Sequence, residues 1–251
     1  MAAISTRRDG PVLRVTLARP ATRNAFDDDT AAELTAAFAD VGDARAVILR
    51  GEGPSFSAGA DVDWMRRTGA LPEAANRESA AGMRRMFEAI DGCPAPVVVA
   101  AHGHALGGGA GLVACADIAL AHPDTVFGFS EVRLGILPAV ISPFAIRAIG
   151  ERHARRWFTT GERFDAETAL RIGLVHEVRA DLDSAVDDVV AALLAAGPAA
   201  ARAAKRIALE HPSGPETEAL IARARTSAEG QEGLAAFLER RAPGWAQEPG
   251  R

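Results

Sequence analysis

Three short segments contain residue types that could support acid–base chemistry beside a polarised carbonyl group. The first segment, Phe56 to Asp61, is rich in small residues and ends in an aspartate that can cap the next helix. Backbone N–H groups at a helix start lack intrahelical partners and can bind an anion or a developing oxyanion. A plain helix cap explains the same residues, and caps are far more common than oxyanion sites.

The second segment, residues 101–111, contains three consecutive glycines, Gly107–Gly109, before an apolar helix. Glycine is unfavourable in a helix, so something must exclude side chains there. We interpret this as close approach of a ligand to the helix N-terminus, where free N–H groups and the helix dipole favour negative charge. A dinucleotide-binding loop is the alternative, but the usual glycine spacing and acidic residue are missing. His102 and His104 have no evident third ligand, so we expect structural roles and no metal site.

The third segment, residues 127–138, places Glu131 in an otherwise apolar stretch. Burial raises the pKa of a carboxyl group, and a general acid or base working near neutral pH needs such a shift. A salt bridge from Glu131 to Arg133 or another arginine is the structural alternative. Two sets of backbone donors and one carboxylate would together suit proton transfer beside a polarised carbonyl group.

Other residue types argue against several enzyme classes. The chain has no tyrosine, and its only lysine, Lys205, lies in an amphipathic segment without the Gly-Lys-Ser/Thr ending of a P-loop. The same lysine is the one candidate for a Schiff-base mechanism. No Gly-x-Ser-x-Gly motif supports a serine hydrolase. Cys93 and Cys115 are too few for a disulfide framework or a zinc site, and we expect both to be buried thiols.

The composition predicts a globular protein that does not bind nucleic acid. Its 251 residues are 48% hydrophobic and 24% charged, with a formal net charge of −5. Proteins that bind nucleic acid usually present a basic face instead. No apolar run has the length of a signal peptide or a membrane span, which predicts a cytoplasmic protein without a membrane partner.

The elements that must position the three segments alternate between strand and helix up to about residue 130, and are helical from Pro138 almost to the end. Strands are predicted at 12–17, 46–50, 97–101, 118–121 and 125–127, and helices at 28–40, 73–90, 139–149, 151–159, 165–172, 183–196, 198–210, 215–229 and 230–241. This order predicts an α/β fold with a helical C-terminal appendage.

Six segments in order along the chain resemble the enoyl-CoA hydratase/isomerase (crotonase) superfamily. They are residues 19–26, 56–61, 103–109, 127–138, 160–175 and 232–241. The resemblance implies a crotonase superhelix of β-β-α turns, with a core at 1–190 and a helical trimerisation region at 191–251. It also implies a homotrimer or a dimer of trimers, in which we expect Phe237, Leu238 and Trp245 to pack against other subunits. The partner would be an acyl-CoA thioester, so coenzyme A enters as part of the substrate and no separate cofactor is expected.

The resemblance also implies roles for individual residues. The backbone N–H groups of Ala60 and Gly108 would stabilise a thioester enolate, and Glu131 would be the catalytic acid or base. The positions expected to bind substrate and coenzyme A are Arg23, Ala25, Ala58, Asp61, Val62, Asp63, Gly107, Gly111, Leu134 and Pro138.

Gly111 stands where two-glutamate hydratases carry their second glutamate, which leaves three functions open. These are hydration of a 2-enoyl-CoA, Δ3,Δ2-enoyl-CoA isomerisation by a single glutamate, and acyl-CoA binding without catalysis. Residues 110–117, 130–135 and 138–143 resemble bacterial methylglutaconyl-CoA-type hydratases, which implies a branched or carboxylated acyl group. A second glutamate would repel a carboxylated group, and we expect Gly111 to leave room for a branched chain. Hydration is therefore the preferred prediction.

Overall fold

The computed structural model describes residues 2–246, and all elements below lie within that range. The strands are Ile4–Asp9 (β1), Val12–Leu17 (β2), Ala46–Gly51 (β3), Val97–Ala101 (β4), His104–Leu106 (β5), Ile118–Ala121 (β6), Val126–Gly128 (β7), Arg163–Asp165 (β8) and Glu177–Val178 (β9). The α-helices are Asp28–Ala39 (α1), Val62–Gly69 (α2), Glu73–Asp91 (α3), Gly108–Ala114 (α4), Ser142–Thr160 (α5), Ala166–Ile172 (α6), Leu182–Ala195 (α7), Pro198–Glu210 (α8), Pro215–Thr226 (α9) and Ala228–Glu239 (α10). Short 3-10 helices lie at Pro20–Thr22, Glu131–Leu134 and Gly244–Ala246.

A six-stranded sheet forms the centre of the fold, in the order β1-β2-β3-β4-β6-β9. Strands β1 and β2 form an antiparallel hairpin, and every other pair in this sheet is parallel. Parallel strands are covered on both faces, which explains why β3 and β4 read as continuous apolar runs with no alternation. Helix α7 covers one face of this sheet, where Ala185 and Val186 are buried against β3, β4 and β6.

A second, three-stranded sheet in the order β5-β7-β8 positions the chemically important loops. Strands β5 and β7 are parallel, and their last residues, Leu106 and Gly128, are paired. The carboxyl ends of parallel strands meet at one edge of a sheet. The glycines that follow β5 are therefore brought next to the loop that follows β7 and contains Glu131.

The α/β architecture with a helical C-terminal region agrees with the prediction, but four strands were missed. Strands β5, β8 and β9 have only two or three residues, too few for a recognisable period. Strand β1 is polar because it lies at the sheet edge, where most of its side chains are exposed. The expected helices at 139–149 and 151–159 are one element, α5, interrupted at Gly150 by a backbone φ of 75°.

The structure bears on two expectations about the C-terminal region. The expected boundary at residue 190 falls inside α7. Trp245 makes two hydrogen bonds within its own chain, and its expected packing against another subunit stays a prediction. Its carbonyl oxygen accepts from Arg45 at 2.8 Å, and its indole N–H donates to Ala195 O at 3.2 Å.

Cys93 and Cys115 are buried free thiols, as predicted.

Among residues 2–246 no single helix is both long and apolar enough to cross a membrane. Helices α7 and α8 together have the required length and apolar character, but a 107° bend separates them.

Candidate active site

Two hydrogen bonds, one on each side of Ala60, fix the loop that presents the Ala60 N–H group. Phe26 donates its N–H to Gly59 O at 2.9 Å, and Asp61 donates its N–H to Phe26 O at 2.9 Å. Ala60 pairs with Phe26 as an isolated parallel bridge. Within residues 2–246 its own N–H has no hydrogen-bond acceptor. The flanking bonds thus leave a fixed donor that is free to bind a substrate oxygen.

The second free N–H belongs to Gly108, the first residue of α4. Its neighbour Gly107 donates to Gly128 O at 2.7 Å, which fixes the turn after β5. The Gly108 N–H has no acceptor in the described part of the chain, as expected for a helix start. A Cβ built on Gly59 would lie 3.1 Å from Gly108 N, so the two donor loops are side by side.

The glycine triplet is explained by packing within the protein. A Cβ on Gly108 would overlap the ring of Phe26, and a Cβ on Gly109 would overlap the carbonyl oxygen of Ser57. Gly107 has a backbone φ of +52°, a conformation that favours glycine. Close approach of a ligand was the expected reason for these glycines. The reason seen here is close approach of other chain segments, which brings the two donors together.

Glu131 begins the 3-10 helix after β7, and its carboxylate lies over Gly107. A Cβ on Gly107 would lie 3.2 Å from Glu131 Oε1. Oε2 is buried without a hydrogen-bond partner among residues 2–246. Burial raises the pKa of this carboxyl group. Within residues 2–246 Glu131 belongs to no ion pair, and the Arg133 side chain packs beside Gly161, so the alternative salt bridge to Arg133 or another arginine is not formed. A buried, unpaired carboxylate is suited to take up and return a proton.

One cavity of about 350 Å³ brings the two donors and the carboxylate together. Ala60, Gly108 and Glu131 all line it. Most of its remaining wall is apolar and comes from Phe26, Trp64, Met65, Met83, Phe87, Pro138 and Ile141. The arrangement can hold an apolar chain while two N–H groups polarise a carbonyl oxygen beside an acid or base.

Gly111 does not line this cavity, which corrects one expectation. A Cβ on Gly111 would lie 2.5 Å from Ile141 Cγ2 and 3.1 Å from Phe87 Cε1. The space beside Gly111 is therefore filled by Ile141 and is not left open for a branched acyl chain. A glutamate at this position would collide with Ile141.

The other expected binding residues divide into two groups. Ala58, Gly107, Leu134 and Pro138 line the cavity. Arg23, Ala25, Asp61, Val62 and Asp63 do not line it and lie on the loop before α1 or at the start of α2. Their contact with coenzyme A stays a prediction.

Asp61 has a structural role that occupies both of its carboxylate oxygens. Oδ1 accepts the N–H of Trp64 at 3.0 Å and caps α2, and Oδ2 accepts from Arg19 at 3.2 Å. Arg19 also donates to Ala25 O at 3.0 Å and to Asp27 at 2.9 Å. The Arg19 guanidinium group thus links residues 25–27 to Asp61, the two chain segments that fix the position of the Ala60 N–H.

The two histidines near the glycine triplet make hydrogen bonds to the protein. The ring of His102 lies 2.9 Å from Gly53 O, and His104 Nδ1 lies 3.2 Å from the Ser55 hydroxyl. Across residues 2–246, no group of three His, Cys, Asp or Glu side chains is placed to hold a metal ion. The structural roles expected for both histidines agree with this geometry.

Comparison with known proteins identifies the family. Residues 7–248 match the family model described as enoyl-CoA hydratase/isomerase. The chain belongs to this family. It is 34% identical to a crotonyl-CoA hydratase of Syntrophomonas wolfei over 89% of this chain and 90% of that protein. It is also 40% identical to a methyl-dioxo-hexahydroindene-carboxyl-CoA hydrolase of Mycobacterium tuberculosis, over 70% of each chain.

Solved structures of the family confirm the crotonase fold. An enoyl-CoA hydratase from Shewanella pealeana superposes with a TM-score of 0.92 at 37% identity, covering 97% of this chain and 96% of that one. The chain is therefore an enzyme of the hydratase/isomerase family, and its general substrate class is the enoyl-CoA thioesters.

Several residues of the site were not assigned from the sequence. Ile141 and Phe87 cover Gly111, and no local pattern indicates either contact. Arg19 begins the first family-like segment, but its links to Asp27 and Asp61 depend on the fold. Ser130 also lines the cavity, directly before Glu131.

Proposed function

We propose that this family member adds water across the 2,3 double bond of a 2-enoyl-CoA through a thioester enolate. The observation that carries the proposal is the Glu131 carboxylate, which is buried and unpaired beside the two free N–H groups. A catalytically silent binding protein would not need a desolvated carboxylate, because burial without a partner costs stability.

Each step uses a group at the site. Glu131 takes a proton from water, and the resulting hydroxide oxygen bonds to C3. The electrons of the double bond move onto the thioester oxygen, which the N–H groups of Ala60 and Gly108 stabilise. Loss of one such donor typically costs about 2.7–4 kcal/mol of transition-state stabilisation. Glu131 then returns the proton to C2 and is ready for another cycle.

The lining of the cavity supports an uncharged acyl chain. No Lys, Arg or His is among the described lining residues. A carboxylate on the acyl group, as in methylglutaconyl-CoA, would be buried near Glu131 without a cation, at a cost of several kcal/mol. The cover that Ile141 forms over Gly111 also removes the space expected for a branch. We therefore favour a linear, neutral enoyl chain over a carboxylated one.

Product analysis with crotonyl-CoA and methylglutaconyl-CoA side by side tests this proposal. We expect 3-hydroxybutyryl-CoA from crotonyl-CoA and much slower turnover of methylglutaconyl-CoA. Faster hydration of methylglutaconyl-CoA would contradict the assignment of a neutral chain. No hydroxylated product from either substrate would contradict hydration itself.

Isomerisation of a 3-enoyl-CoA is the second candidate. It is favoured by the presence of one carboxylate where a two-glutamate hydratase has two, since a single acid can move a proton between C2 and C4. Conversion of a 3-enoyl-CoA into a 2-enoyl-CoA without a hydroxylated product would identify this activity.

We further propose that the chain forms a homotrimer or a dimer of trimers. Phe237 and Leu238 on α10 are 80% and 79% exposed, an unusual state for large apolar side chains on one helix. Light scattering at micromolar concentration should give three or six subunits, and a monomer would contradict the proposal. Phe237→Ser with Leu238→Ser should shift the mass toward the monomer.

A further inference from the structure

Water addition with one carboxylate leaves the nucleophilic water with an incomplete set of partners. Glu131 can accept only one of the two water hydrogens, and the water must still be aimed at C3. Gly111 cannot provide a second group, because it has no side chain and is covered by Ile141. Another polar group in the cavity must therefore hold the water if hydration is to be fast.

Three of the polar side chains that line the cavity are already engaged. Thr68 donates its hydroxyl to Trp64 O at 3.0 Å. Asn76 donates to Leu71 O at 2.9 Å, and Ser79 donates to Asp28 Oδ1 at 2.8 Å. These bonds use the donor groups of the three side chains and fix them on α2 and α3. Their oxygens can still accept a hydrogen, but none of the three belongs to the turn that carries Glu131.

Ser130 differs from these three residues. It lines the same cavity, and in the described part of the chain its hydroxyl makes no hydrogen bond. Its side chain also does not cap the following 3-10 helix. An unengaged hydroxyl can both donate to and accept from a water.

The backbone places Ser130 directly beside Glu131. Ser130 has φ −92° and ψ 5°, within the sparsely populated bridge region where many active-site residues lie. Its carbonyl oxygen accepts the N–H of Arg133 at 3.0 Å, which fixes the turn. The hydroxyl and the carboxylate thus come from consecutive residues of one rigid turn.

We infer that Ser130 is a catalytic residue for water addition, a role that rests on the proposed hydration. Its hydroxyl accepts the second hydrogen of the nucleophilic water and keeps its own proton throughout. Glu131 takes the first hydrogen as the water oxygen bonds to C3, and later delivers that proton to C2. Ser130 therefore replaces, by a neutral group, the second carboxylate that is missing at Gly111.

The test compares two reactions of the same enzyme. Hydration of crotonyl-CoA needs the positioned water, whereas exchange of the C2 hydrogens of butyryl-CoA in D2O needs only Glu131 and the two N–H donors. Ser130→Ala should lower the hydration rate roughly 10–100-fold while the C2 exchange rate stays close to wild type. Ser130→Thr, which restores a hydroxyl, should recover much of the hydration.

Ser142→Ala is the matched control. Ser142 lies outside the cavity lining, and its hydroxyl donates to Ala139 O at 2.8 Å. This variant should hydrate like the wild type. Unchanged hydration by Ser130→Ala, or a loss of exchange as large as the loss of hydration, would overturn the role of Ser130. A wild-type enzyme that exchanges the C2 hydrogens but hydrates no enoyl-CoA would instead overturn the hydration proposal, and the role of Ser130 with it.

Discussion

Glu131 and Asp117 are both carboxylates that have lost most of their contact with solvent, and burial raises the pKa of each. Their surroundings differ in one respect. Asp117 Oδ2 accepts from Lys205 Nζ at 2.7 Å and from the N–H of Val97 at 2.7 Å. Glu131 Oε2 has no partner among residues 2–246.

The difference separates a carboxylate that is paired within the fold from one that has no partner and is free to exchange a proton. Lys205 on α8 pairs with Asp117, which lies directly before β6 and also accepts from Val97 at the start of β4; the Lys205 side chain is only 6% exposed. Breaking such a pair leaves an uncompensated buried charge. Glu131 is an unpaired buried carboxylate in the native enzyme, which lowers the stability of the fold. We attribute this arrangement to the need for a base whose charge is not neutralised by a nearby cation.

The largest expected effect comes from removing the unpaired carboxylate. Glu131→Gln keeps the size of the side chain but cannot take up a proton. We expect the turnover of crotonyl-CoA to fall about 10²–10⁴-fold, the usual contribution of a positioned acid or base. Steady-state kinetics measures this, with Glu167→Gln, an exposed carboxylate on α6, as the control. Wild-type turnover by Glu131→Gln would refute the assigned role.

Removing the partner of the other carboxylate should affect folding. Lys205→Met leaves Asp117 buried and charged, so we expect the free energy of unfolding to fall by about 3–5 kcal/mol. Urea unfolding measures the change. The double variant Lys205→Met with Asp117→Asn should recover part of the loss, because the amide is neutral and its oxygen can still accept from Val97. Equal stability of the single and double variants would show that the buried charge is not the cause.

A smaller effect on catalysis is expected at Arg19, which positions the Ala60 donor. Arg19→Lys keeps the charge but cannot reach Ala25, Asp27 and Asp61 together. We expect kcat to fall by about tenfold, less than the complete loss of a donor, with little change in KM. The control is Arg14→Lys, an arginine that pairs with Asp9 away from the cavity. A rise in KM at constant kcat would contradict a positioning role.

The smallest expected effect is a gain in stability with a defined pH dependence. Because the pKa of Glu131 is raised above 4.5 in the folded state, its ionised form destabilises that state. This cost is present at neutral pH and disappears as the pH falls below the unfolded pKa. Glu131→Gln should therefore raise the Tm near pH 7, by about 2–4 °C for each kcal/mol relieved, and lose this gain in acid. A lower Tm at neutral pH would contradict the unpaired state of Glu131.

The sequence predicts the chemical parts of the site better than the reasons for them. The local pattern singles out the two small-residue segments and Glu131, because glycine-rich helix starts and an acid in an apolar run are unusual. The choice of Ala60 and Gly108 as the donors comes from the family resemblance. The cause of the glycines is invisible in the sequence, since it depends on Phe26 and Ser57, which lie far from the triplet along the chain. Local sequence patterns indicate which residue types could act, whereas contacts between distant segments depend on the fold.

The same limit explains the errors about Gly111 and the short strands. The missing side chain of Gly111 predicts open space beside it, but Ile141, directly before α5, fills that space. The strands β8 and β9 exist because neighbouring strands pair with them, not because of their own pattern.

The most direct test of the central claim is the exchange of the C2 hydrogens of butyryl-CoA in D2O, followed by proton NMR. This substrate has no double bond to hydrate, so exchange reports only enolate formation by Glu131 beside the Ala60 and Gly108 N–H groups. We predict ready exchange by the wild type and loss of exchange in Glu131→Gln. Exchange that persists at the wild-type rate in Glu131→Gln, in a folded protein, would contradict the claim that Glu131 moves the proton at C2.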